Sequence, residues 1–61
     1  MYNCRLTNDE GTIVVFKLYE PNMVIVETYD KQLGWMGATA TSHEEAESAK
    51  DKYLNEGFTE V

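Results

Sequence analysis

Thr12-Ile13-Val14-Val15-Phe16-Lys17-Leu18-Tyr19-Glu20, the pair Pro21-Asn22, and then Met23-Val24-Ile25-Val26-Glu27-Thr28-Tyr29 form the stretch that decides the fold. Both runs are rich in β-branched and aromatic side chains, which suit a pleated, half-buried surface. Alternation puts Val14, Phe16 and Leu18 on one face of the first run, with Ile13, Val15 and Tyr19 on the other. In the second run Val24, Val26 and Thr28 oppose Met23, Ile25, Glu27 and Tyr29. A Pro-Asn connection of two residues joins them as an antiparallel pair. Because both faces are apolar, a single covering layer cannot shelter this hairpin.

Upstream, Tyr2, Cys4 and Leu6 alternate with Asn3, Arg5 and Thr7, which reads as a first short strand. Asn8-Asp9-Glu10-Gly11 supplies turn chemistry, with side chains that bond nearby backbone and a glycine free to take positive φ. Downstream, Asp30-Lys31-Gln32 makes the next turn, and Leu33 to Thr41 a fourth strand interrupted by glycine. Ser42-His43-Glu44-Glu45 is a capping box, in which the Ser hydroxyl accepts from the amide three residues on and Glu45 reaches back. The helix it opens is expected from His43 to about Glu56, with an apolar stripe of Ala46, Ala49, Tyr53 and Leu54. Gly57 suits the left-handed position after a helix, and Phe58 the apolar contact that follows it. Phe58 to Val61 then adds a short edge strand. The expected fold class is α+β, one domain over residues 1–61: a small antiparallel β-meander of about four strands, one C-terminal α-helix on one face, and a short final edge strand.

One helix covers one sheet face, which leaves Ile13, Val15, Tyr19, Met23, Ile25 and Tyr29 over. A homodimer or a partner protein would cover them, since exposed apolar patches of several hundred Å² are unusual in soluble monomers. Strong twist and coiling of so small a sheet is the other way to shelter that face.

Length and charge narrow the function classes. With 61 residues the chain is too short for a multidomain enzyme or a repeat protein. Its longest apolar runs, Ile13 to Phe16 and Met23 to Val26, fall far short of the ~20 residues that span a bilayer. The N-terminus carries no apolar segment of signal-peptide length, and Cys4 is the single cysteine, so a reducing, cytoplasmic home is expected. Five basic against eleven acidic residues give a net charge of −6. Residues 1–42 hold five acids and three bases, and residues 43–61 six acids and two bases, so the helical end is the more acidic. Such a field repels phosphate backbones and acidic membranes and attracts basic surfaces.

Little in the chain points to catalysis. His43 falls in the first helical turn, where the dipole disfavours an imidazolium, and reads as a solvated residue. Cys4 reads as a small buried apolar side chain. His43 and Glu47 lie one turn apart, but two ligands are too few for a zinc site. No Cys-x-x-Cys, phosphate-binding glycine loop or calcium-binding carboxylate loop is present. Catalytic, cofactor-binding and metal residues are therefore all expected to be none, and no small-molecule substrate is implied.

Two features point to a partner. Glu44, Glu47 and Asp51 line one helix face at i, i+3 and i+7 with no base among them, either a solvated outer face or an imitation of phosphate spacing. Leu33-Gly34-Trp35-Met36-Gly37 places the only Trp between glycines, which in strands mark bulges or close backbone approach. Trp35, with Met36 and Tyr29 nearby, is either a cap on the core beneath the helix or an exposed interaction anchor. In size, acidity and layout the outline is similar to small phage proteins that bind and inhibit host enzymes. The expected function is a non-enzymatic protein-binding module, an inhibitor or regulator of a larger basic protein, contacted through Trp35, Tyr29, Met36, Glu44, Glu47 and Asp51. The alternative is a homodimeric nucleic-acid-binding sheet in which Arg5, Lys17 and Lys31 cluster beside exposed aromatics.

Overall fold

The computed structural model describes residues 3–61. The elements are β1 (Asn3–Thr7), β2 (Thr12–Glu20), β3 (Met23–Asp30), β4 (Gly34–Thr41), α1 (His43–Asn55) and β5 (Thr59–Glu60). The strands form one antiparallel sheet in the order β4-β3-β2-β1-β5. The first four make the expected meander, and β5 returns after the helix to pair with the free side of β1. The expected start of the first strand at Tyr2 lies outside the described residues. Leu33 belongs to the turn before β4 and is 79% exposed.

Local chemistry accounts for each connection. The Asn8 side chain accepts from the amides of Glu10 and Thr12 at 3.0 and 2.9 Å, and Gly11 takes φ +87°. At the β3–β4 turn, Asp30 accepts from the amides of Gln32 and Leu33 at 2.7 and 3.0 Å. Those two donors hold its carboxyl below the usual carboxylate range. The helix begins where the capping box places it: the Ser42 hydroxyl accepts from the Glu45 amide at 3.1 Å. The Glu45 carboxylate is drawn down mainly by the Thr41 hydroxyl, at 2.9 Å, and then by Ser42. At the other end the Gly57 amide donates to the Leu54 carbonyl and the Phe58 amide to the Tyr53 carbonyl, with Gly57 at φ +105°. This is a Schellman motif, and its apolar contact is the edge-on packing of Phe58 against Tyr53, 4.9 Å between ring centroids.

The core is small and one-sided. Leu6, Val14, Phe16, Val24 and Ala46 are fully buried, with Cys4, Val26, Ala49, Tyr53 and Phe58 packed around them. Each of the four large core side chains contributes roughly 1.5–3 kcal/mol by leaving water. Ala46, the helix residue at the centre of the contact, is small enough to let α1 lie close to the sheet. Leu54, expected in the apolar stripe, sits on the helix flank and is 40% exposed. Among the described residues no helix is long and apolar enough to cross a membrane.

Two register shifts break the meander's regularity. One lies between Leu18 and Glu20, which makes Tyr19 the extra residue of β2. The other lies at Thr28/Tyr29, where β3 steps from Gly37 to Trp35 and leaves Met36 as the extra residue of β4. No part of the sequence pattern marks either shift beyond the glycines beside Met36.

Candidate functional site

The pairings place specific side chains on the sheet face that α1 does not cover. Residues directly opposite one another across an antiparallel pair project to the same side. Thr7, Ile13, Tyr29 and Trp35 therefore form one row across β1 to β4, and Arg5, Val15, Glu27 and Ala38 the next. Asn3, Lys17, Ile25 and Ala40 form a third. Since Val14 and Phe16 face the helix, these rows face away from it.

This open face is neither dry nor wholly exposed. Ile13, Val15, Met23, Ile25 and Tyr29 are half-buried by neighbouring side chains on the twisted sheet. Trp35 is 62% exposed, Met36 57% and Tyr19 65%. A shallow hollow of 340 Å³ opens among Arg5, Ile13, Val15, Lys17 and Tyr29. A wider one, 550 Å³, shares Arg5, Val15 and Lys17 with it and extends towards Asn3, Cys4, Phe16 and Val61 at the sheet corner. Both hollows take in the cations Arg5 and Lys17, and the first is the better candidate because the Tyr29 ring also lines it.

A polar network crosses the face. The Lys17 ammonium lies 2.9 Å from the Glu27 carboxylate, and the Tyr29 hydroxyl donates to the same carboxylate oxygen at 3.1 Å. Lys17 first and Tyr29 second hold the Glu27 carboxyl below its usual range, and Glu27 in turn raises the Lys17 ammonium. Tyr29, directly opposite Trp35 in the β3–β4 pairing, is thereby tethered by its hydroxyl. Lys17 is engaged within the face rather than presented as a free cation. Lys31 stands apart from Arg5 and Lys17, in the β3–β4 turn with its side chain against Gly11.

The six residues expected to meet a partner fall into two groups. Trp35 and Tyr29 are directly opposite on the open face, with Met36 at the adjoining bulge. Glu44, Glu47 and Asp51 are exposed on α1, which lies across the other face. The sheet thus separates the aromatic group from the acidic one. The sequence points to Val15 on the uncovered face and to Arg5 and Lys17 beside its aromatics, but not to the Lys17–Glu27–Tyr29 network. The spacing of Glu27 and Tyr29 on one strand face hinted at it, but the cross-strand partner emerges only from the register.

The remaining chemistry-bearing residues are structurally engaged. The His43 ring nitrogen lies 2.9 Å from the Pro21 carbonyl, pinning the helix start to the β2–β3 turn. The Cys4 thiol is pushed up by burial, against the pull of Lys50 and with a smaller push from Glu60, so it stays protonated at neutral pH. Lys50 and Glu60 themselves pair at 3.3 Å. Among the described residues no group of three or more His, Cys, Asp or Glu is placed to hold a metal ion.

No protein-family model, curated protein or solved structure matches this chain.

Proposed function

We propose that the protein is a non-enzymatic binding module that docks another protein on its open sheet face, as an inhibitor or regulator of a larger protein with a basic surface. The observation that carries this reading is the uncovered row Ile13–Tyr29–Trp35, in which a 62%-exposed Trp adjoins a tethered Tyr and a half-buried aliphatic floor. Large aromatics with few rotatable bonds, beside a shallow apolar hollow, are the usual anchors of protein interfaces. The Lys17–Glu27 pair lets charge remain satisfied when a partner excludes water from the face.

Glu44, Glu47 and Asp51 contribute at a distance. They lie on the far side of the sheet from Trp35, and screening over about 8 Å at physiological salt confines them to guiding encounter. The cytoplasm is the compartment that suits a single cysteine. A second reading has support from one observation: Arg5 and Lys17 share the open face with Tyr29 and Trp35, as in sheets that stack single-stranded nucleic acid. The engagement of Lys17 with Glu27 and the overall charge of −6 favour the protein partner.

Affinity capture from nuclease-treated lysate of the source cells, with wild type and Trp35→Ala as baits, tests the proposal. A stoichiometric protein retained by wild type and lost from the variant supports it. Capture of nucleic acid alone, when nuclease is omitted, supports the second reading instead.

A further inference from the structure

The sheet has two edges of very different character. At one end β5 is only two residues long, and its Glu60 is tied to Lys50. At the other end β4 runs for eight residues, Gly34–Thr41, with no strand neighbour on its outer side among the described residues. All of β4 is exposed except Gly37 and Thr41. It is also the only strand without an ionisable side chain: β1 holds Arg5, β2 Lys17 and Glu20, β3 Glu27 and Asp30, β5 Glu60. Long edges free of charge and proline are ready templates for another strand, and proteins commonly guard them with lysine, bulges or a covering segment. Here the single bulge, at Met36, leaves Gly37–Thr41 regular.

We propose that β4 pairs antiparallel with β4 of a second copy, about a two-fold axis passing through Thr39. Charge selects this occupant. A two-fold axis sets the residue on it against its own copy, so a charged side chain at the axis would meet like charge. A chain of net charge −6 therefore meets itself with least repulsion along a neutral strand, and β4 is that strand. In this register Thr39 faces Thr39, a favourable cross-strand pair, and Ala38 faces Ala40. Ala38 and Ala40 already project to the same open face, so the alternation of both copies is preserved. The product is one ten-stranded sheet with both helices on one side and both open faces joined on the other. It closes at two copies, because only the short, charged β5 edges are left outside. This pairing rests on β4 alone and stands or falls independently of the partner-binding reading.

Sedimentation equilibrium on the full chain, from about 10 μM to about 1 mM, covers the range expected for so small an interface. The wild type should rise towards twice 7.0 kDa with concentration. Thr39→Lys and Thr39→Glu should each hold the single-copy mass across that range, with far-UV circular dichroism unchanged because Thr39 is exposed. An equimolar mixture of the two should recover the doubled mass, since opposite charges then face each other at the axis. A wild type that stays at 7.0 kDa throughout, single variants that associate as the wild type does, or a mixture that fails to recover would each overturn the proposal.

Discussion

Replacing Trp35 by Ala should leave the protein folded, and the expected cost can be worked from exposure. Trp35 is 62% exposed, so about 38% of its surface is hidden against Tyr29 and the strand beneath. A Trp side chain buries at most about 250 Å², which makes the hidden part roughly 95 Å². At about 25 cal/mol per Å² that is no more than about 2.4 kcal/mol. The alanine retains some contact and the unfolded chain already hides part of this area, so roughly 1–2 kcal/mol should be lost. A domain of 61 residues has about 3–9 kcal/mol in hand at typical stability per residue. Thermal unfolding followed by far-UV circular dichroism should therefore remain cooperative, with the midpoint lower by about 5–15 °C. A non-cooperative melt, or a loss as large as that of a core truncation, would place Trp35 in the core and remove it as a docking anchor.

The other expectations follow from the same geometry. Phe16→Ala removes a fully buried ring from the centre of the helix-side face and should cost about 3–5 kcal/mol, leaving the chain largely unfolded at 37 °C by circular dichroism. Glu27, Asp30 and Glu45 all have carboxyls held below their usual range in the fold. Their stabilisation is present above the unfolded-state carboxylate pKa and is lost as pH falls through the lower folded values. The urea midpoint should consequently drop between about pH 5 and about pH 2, and Glu27→Gln should make that drop shallower; a midpoint flat with pH would contradict the assignment. Reversing Glu44, Glu47 and Asp51 to Lys brings the net charge from −6 to zero. This should slow association with the captured partner by about tenfold at low salt while leaving its dissociation rate unchanged. An unchanged association rate would show that the acidic helix face has no part in steering.

How much of this was legible in the chain depends on the range of the interaction involved. Strands β2 and β3, the Asn8 and Asp30 turns, the Ser42 capping box and the Gly57-Phe58 helix end are all set by neighbours a few residues apart. Their alternation, side-chain caps and positive-φ glycines can be read directly from the sequence. The thin helix stripe and the two apolar faces of β2 and β3 also announced a sheet covered on one side only. The bulge at Tyr19 could not be read, because an extra residue in one strand leaves no mark in the alternation of its partner, whereas Gly34 and Gly37 pointed to a bulge near Trp35 without fixing its position. Those bulges settle which side chains meet. Trp35 lies opposite Tyr29 only because β4 slips by one residue at Met36, and Lys17 reaches Glu27 only through the β2–β3 register. The sequence likewise does not say which sheet face α1 covers, and it is this packing that sets the aromatic and acidic groups on opposite sides.

Docking of a protein partner on the open sheet face is read out by amide chemical-shift mapping of the labelled chain during titration with the captured partner. The largest changes should fall on Ile13, Val15, Tyr29, Trp35 and Met36, while Glu44, Glu47 and Asp51 scarcely move. Changes concentrated on the outer face of α1, with Trp35 and Tyr29 undisturbed, would contradict it.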